Sequence, residues 1–159
     1  MPERQQDTIQ HVFVDEAGGT QLGPPGDAAD FYVVCGLLVP ADALEDMKAG
    51  ADRVVHVHAG SGELKSNRVG SDTRRRERVL LDIAKMKCPF YCLVVDKQRI
   101  HRDCGLRYRS SFYKFLHRMF YTQIRGTFAG IRVLADQYGS SEFMEGFGDY
   151  ISSRASLFD

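Results

Sequence analysis

Three separate stretches, HVFVD at 11–15, FYCLVVD at 90–96 and IRVLAD at 131–136, run through β-favouring apolar residues and stop on an aspartate. No other feature restricts the possible folds as strongly. Val, Phe and Tyr suit a pleated surface, so each run is expected to be a strand. A fourth run, FYVVCGLLV at 31–39, has the same character and ends at Pro40. The segment joining the first run to this one, GGTQLGPPGDAAD, is dense in turn formers, so an antiparallel pair should open the sheet.

Helical spacing fills the intervals. In ADALEDMKAGAD, Leu44, Met47 and Ala51 fall on one face of a short helix. VVHVH at 54–58 has the composition of a short strand, and AGSGELKSNRVGS after it that of a loop. From Asp72, the basic run TRRRER leads into VLLDIAKMK, where Val79, Leu80, Ile83 and Ala84 recur at helical intervals. The clearest helix lies at 110–125. There Phe112, Phe115, Leu116, Met119, Phe120 and Ile124 trace an apolar stripe, opposite Lys114, His117, Arg118 and Arg125. A last helix, EFMEGFGDYI, spaces Phe143, Phe147, Tyr150 and Ile151 in the same way and runs almost to the end of the chain. Strands first, then helices alternating with strands, imply an α/β protein with a mixed sheet flanked by helices.

The 159 residues suit a single domain over 1–159. No apolar run approaches the roughly 18 to 20 residues of a membrane-spanning helix, and MPERQQDTIQ lacks the apolar core of a secretory signal, so a cytoplasmic protein is expected. The ending SLFD, with Leu157 and Phe158 near the terminus, implies a truncated chain or a docked C-terminus, and docking on another chain would favour a homo-oligomer or larger assembly. Cys35, Cys88, Cys92 and Cys104 form no CxxC pair, which disfavours a zinc ribbon or a thioredoxin-like site and leaves reduced core thiols as the expectation.

If the strands closed by Asp15, Asp96 and Asp136 run parallel, three carboxylates meet at one edge of the sheet, where α/β folds place ligand-binding groups. Crowded carboxylates repel one another, and a divalent cation is one remedy. Mg2+ or Mn2+ prefers such oxygen ligands, and two ions about 3.5 to 4 Å apart stabilise both attacking and leaving oxygens in phosphodiester displacement. Each aspartate has an ordinary alternative, because aspartate at a strand end often caps the next turn or helix. For Asp96 a local ion pair with Lys97 is a further alternative. Glu16 alternates to the other side of its strand and is expected to support the site or face solvent. Glu63, among small residues in SGELKSN, is a fourth candidate, and Lys65 either contacts a phosphate or is solvated.

Together these landmarks resemble the domain-of-unknown-function 3800 family. They are DEAG after the first strand (Asp15, Glu16, Ala17, Gly18), the second strand FYVVCGLLV, the ELKS segment (Glu63, Leu64, Lys65, Ser66), a strand ending in VVDK (Asp96, Lys97) and a later strand ending in Asp136. The resemblance covers about residues 11–140. It implies a ribonuclease H-like fold and a metal-dependent nuclease. By position, Asp15 would bridge two metal ions, Glu63 and Asp136 would be further ligands with Asp96 a fourth, and Lys65 would lie near the scissile phosphate. The QxxD motif that usually follows in this family is absent, because Gln137 has no aspartate three residues later.

The formal net charge is zero, so any nucleic-acid surface must be a local basic face. Arg74, Arg75, Arg76 and Arg78, with Arg107, Arg109, Lys114, Arg118 and Arg125, are suited to a phosphate backbone or simply form the solvated faces of two helices. His56 and His58 would share one side of a strand, where a pair can bind zinc or copper, although no third ligand is near in sequence. The expected function is a Mg2+- or Mn2+-dependent nuclease acting on DNA or RNA. The alternative is a catalytically silent module that binds nucleic acid or protein on the same scaffold.

Overall fold

The structure is a computed structural model that describes residues 10–22, 30–60, 62–101, 103–128, 130–136 and 139–153, with side chains omitted at 149, 152 and 153. Its strands are β1 (Gln10–Ala17), β2 (Phe31–Pro40), β3 (Phe90–Asp96) and β4 (Ile131–Ala135). The helices are α1 (Leu44–Ala59), α2 (Ser66–Val69), α3 (Thr73–Ala84), α4 (Arg109–Thr127) and α5 (Ser141–Ser153). The sheet order is β3-β2-β1-β4. β2 is antiparallel to both β1 and β3, whereas β4 runs parallel to β1, so β1, β3 and β4 all point the same way. This mixed sheet flanked by helices is the expected α/β arrangement.

Period-two alternation decides which face of the sheet is covered. On β1, Val12 and Val14 are buried while Phe13 and Asp15 are exposed; on β2, Tyr32, Val34 and Leu38 are buried. These residues meet the apolar stripe of α4, from Phe112 through Leu116 and Phe120 to Ile124, and Phe147 of α5 completes the cluster. Burying a ring such as that of Phe120 stabilises by about 1.5–3 kcal/mol. Gly36 admits that ring, because a Cβ there would stand 2.7 Å from Phe120 Cζ and 3.0 Å from Val12 Cγ1. Phe115 and Met119, placed on the stripe by their spacing, are instead exposed.

The segment VVHVH is not a strand. Leu44, Met47, Ala51, Val54 and His58 continue at helical spacing, and α1 runs unbroken to Ala59. The helical stripe overrides the local β preference of the valines. On a helix, residues two apart do not share a face, so the expected His56–His58 pair is lost. His58 instead meets Asp82 of α3 at 2.8 Å. Asp72 starts α3 by accepting the backbone N–H groups of Arg74 and Arg75 at 2.9 and 3.3 Å, which explains how so basic a run begins a helix. None of the described helices is long and apolar enough to cross a membrane.

Candidate functional site

Asp15 lies in β1 one residue beyond Val14, whose partner on β4 is Ala135, and Asp136 follows Ala135 directly. The two aspartates therefore emerge side by side from adjacent parallel strands, about 4.8 Å apart in the sheet. Both are exposed. The Asp15 carboxylate accepts the backbone N–H of Glu16 at 2.9 Å. Glu16 points to the opposite face, as alternation requires, and is half-buried. Burial, then the charge of Asp15, then that of Asp136, raise its carboxyl above the ordinary 4.5. Tyr121 of α4 records the same charge: burial pushes its hydroxyl up to about 12, Glu16 adds to the effect, and Arg125 opposes it.

The first glycine after these acids has a structural reason. Gly18 has φ of +89°, and a Cβ there would collide with the carbonyl oxygen of Phe31. The chain thus passes close against the start of β2 directly after Ala17. Lys97 holds the turn from the other side. It is buried, and its Nζ donates to the carbonyls of Gly19 at 3.0 Å and Gln21 at 3.3 Å.

The other predicted acids are placed elsewhere. β3 runs in the expected direction, but Asp15 is level with Cys35 and Cys92, and Asp96 comes four residues later. That offset is about 13 Å along the strand and about 10 Å across two strand spacings. Asp96 caps the 3-10 turn Lys97–Arg99, accepting the N–H of Gln98 at 3.0 Å, and so takes the ordinary role of an aspartate at a strand end. Glu63 pairs with Lys65 at 3.0 Å, and both side chains are largely exposed, on the segment joining α1 to α2. A groove of about 530 Å3 between α1 and α3, lined by His58, Arg75, Arg78, Asp82 and Lys85, touches none of the predicted acids. Among the described residues, no three Asp, Glu, His or Cys side chains already stand in metal-binding geometry.

Several basic residues are engaged in local structure. Arg75 donates to the carbonyl of His58 at 3.2 Å, and Arg76 to that of Gly70 at 2.6 Å. Arg107, Lys114 and Arg118 lie over the rings of Tyr108, Phe143 and Tyr150. Arg125 is coupled electrostatically to Tyr121, the residue that also senses Glu16.

Two features beside the edge were not anticipated. Glu16, expected only to support the site or face solvent, is the acid whose proton affinity responds to both aspartates. The cysteines are not core thiols: Cys92 is exposed, the other three are half-buried, and all four are free. Cys35 and Cys92 extend the row from Asp15 across the open face of the sheet. Burial, followed by the hydrogen bond from Cys92 and the nearby charges, pushes the Cys35 thiol up to about 12. Alternation could assign a face to each residue, but the register that brings them level passes through a long β1–β2 connection whose pairing no local signal specifies.

No family model and no curated protein matches the chain. Among solved structures, a crystal structure of Bst-RNase HIII in complex with Mn2+ is similar, with 13% identity and a TM-score of 0.48 over 93% of this chain. The chain spans 42% of that protein's length.

Proposed function

We propose that this protein is a divalent-metal-dependent nuclease that hydrolyses phosphodiester bonds of DNA or RNA at the β1–β4 edge. The observation that carries this reading is the parallel register that brings Asp15 and Asp136 out side by side, with Glu16 feeling both charges. The donors are all carboxylate oxygens, the set that Mg2+ and Mn2+ favour, and a cation would relieve the repulsion recorded at Glu16. The resemblance to the domain-of-unknown-function 3800 family points the same way.

In this reading Asp15 and Asp136 hold the metal, and Glu16 stands behind them. Bound metal supplies an activated water and charge stabilisation at the leaving oxygen. Glu16, on the opposite face, feels the charge of both aspartates from behind the sheet and acts on the site only through that charge. Arg125 of α4 acts on Tyr121, the residue that also feels Glu16. Lys97 ties the backbone at Gly19 and Gln21 to the end of β3. Glu63, Lys65 and Asp96 belong to the proposed site by the family resemblance alone, and their own contacts do not place them at this edge.

The test is Mn2+ titration by calorimetry, together with cleavage of labelled single- and double-stranded DNA and RNA, on the wild type, Asp15→Asn and Asp136→Asn. Metal-dependent cleavage that falls at least about a hundredfold in each variant, with weakened Mn2+ binding, is expected. Mn2+ affinity unchanged in both variants would overturn the metal site. Nucleic-acid binding without cleavage, unaltered by Asp15→Ala, would identify the silent binding module instead.

A further inference from the structure

The face of the sheet turned away from α4 carries a pair of thiols in direct cross-strand register. Cys35 of β2 is the partner of Cys92 of β3, and their Sγ atoms stand 2.6 Å apart. Directly opposed residues on antiparallel strands have Cα atoms about 4.5–5.5 Å apart, within the span a disulfide bridges. The sulfurs need approach by only about 0.6 Å to reach the length of an S–S bond, about 2.0 Å. Cys92 is open to solvent and Cys35 half-buried beneath the same face. The surrounding surface also admits a small oxidant, because the neighbouring Phe90 and Val94 of β3 are exposed.

We propose that Cys35 and Cys92 form a redox-active dithiol that a peroxide converts to an intramolecular disulfide. The exposed sulfur reacts first. The thiolate of Cys92 attacks one peroxide oxygen, the O–O bond breaks, and hydroxide leaves, giving a sulfenic acid. The Cys35 sulfur, already in contact, then attacks Cys92 Sγ; the S–S bond forms, the S–O bond breaks, and a second hydroxide leaves. The two thiol protons end on the two hydroxides. Two thiols and one hydrogen peroxide thus become one disulfide and two waters, with the sulfurs losing the two electrons that the peroxide gains. The bond would tie β2 to β3 in the row that begins at Asp15, and it does not depend on the nuclease reading.

The experiment treats the reduced full chain with hydrogen peroxide, unfolds it, alkylates the remaining thiols, and analyses intact mass and peptides. The expected product has lost two hydrogen atoms, retains alkylation at Cys88 and Cys104 only, carries a Cys35–Cys92 linked peptide, and returns to four alkylated thiols after dithiothreitol. In Cys35→Ser the two-hydrogen loss disappears, and Cys92 is trapped as its sulfenic acid by dimedone. Four alkylatable thiols in the wild type, at peroxide doses that oxidise a reference protein dithiol, would overturn the proposal. A linkage that runs to Cys88, to Cys104 or between chains would do the same. The wild-type peptide map decides the matter even if the serine variant fails to fold.

Discussion

His117 should make this fold acid-labile, by an amount that follows from its surroundings. The ring is fully buried on α4, stacked on Tyr113 with centroids 3.9 Å apart. Its Nε2 shares a hydrogen bond with the Tyr32 hydroxyl at 3.2 Å, and its Nδ1 meets no hydrogen-bond partner. Protonation would place a charge and a second N–H donor among aromatic rings, with one hydroxyl to meet them. Burial accordingly lowers the pKa of His117 from 6.5 to about 4. Because the folded value is the lower one, the unfolded chain binds the proton more tightly, and stability is present in full above 6.5 and falls with pH toward the folded value. At about 1.4 kcal/mol per pH unit, this residue removes about 2 kcal/mol by pH 5 and about 3 kcal/mol by pH 4. His117→Phe keeps a ring against Tyr113 and cannot titrate. Urea unfolding of both proteins from pH 7 to 4 measures the difference directly, because other groups, including Glu16, cancel in the subtraction. Wild type should lose about 3 kcal/mol more than the variant across that range. Parallel pH curves would refute the argument and mean that the imidazolium finds solvation inside the core.

Gly36→Ala should destabilise by about 1–3 kcal/mol, because the new methyl would stand 2.7 Å from Phe120 Cζ. Adding Phe120→Leu removes that atom, so the two substitutions should cost less together than their sum, and strict additivity in denaturant unfolding would contradict this packing. Lys97→Ala strips the donor from the Gly19 and Gln21 carbonyls and should cost about 1–3 kcal/mol, with faster amide hydrogen exchange across residues 18–22. An unchanged exchange rate there would show that the lysine does not hold the turn. Asp136→Asn should lower the Glu16 pKa, read by carbon-13 NMR of the carboxyl, because it removes one of the two charges that raise it. A titration identical to wild type would mean that Asp136 is too far from Glu16 to share a site.

Elements with a strong local signal were legible in the sequence. HVFVD, FYVVCGLLV, FYCLVVD and IRVLAD each became a strand, and α4 follows its stripe because one face of a long helix had to be apolar to cover the sheet. VVHVH misled for the opposite reason: five residues of β-favouring composition sit inside a longer helical repeat, and the cooperative element wins. At the candidate site, the sequence marked Asp15 and Asp136 by their position after apolar runs. It marked Asp96 by the same rule, and only the register shows that this aspartate lies much further along its strand and caps a turn.

Composition and spacing alone determined the α/β class, the four strands and the acids worth testing, because periodicity and propensity are properties of neighbouring residues. They also marked the helices, except for the short α2, which lies in a segment expected to be loop, and the extension of α1 through VVHVH. Tertiary structure alone decided which acids are neighbours, that Glu16 feels Asp136 as well as Asp15, and that Cys35 faces Cys92. These depend on strand order and register, which are set by long-range pairing and by burial of one sheet face against α4, and no short stretch of chain encodes them.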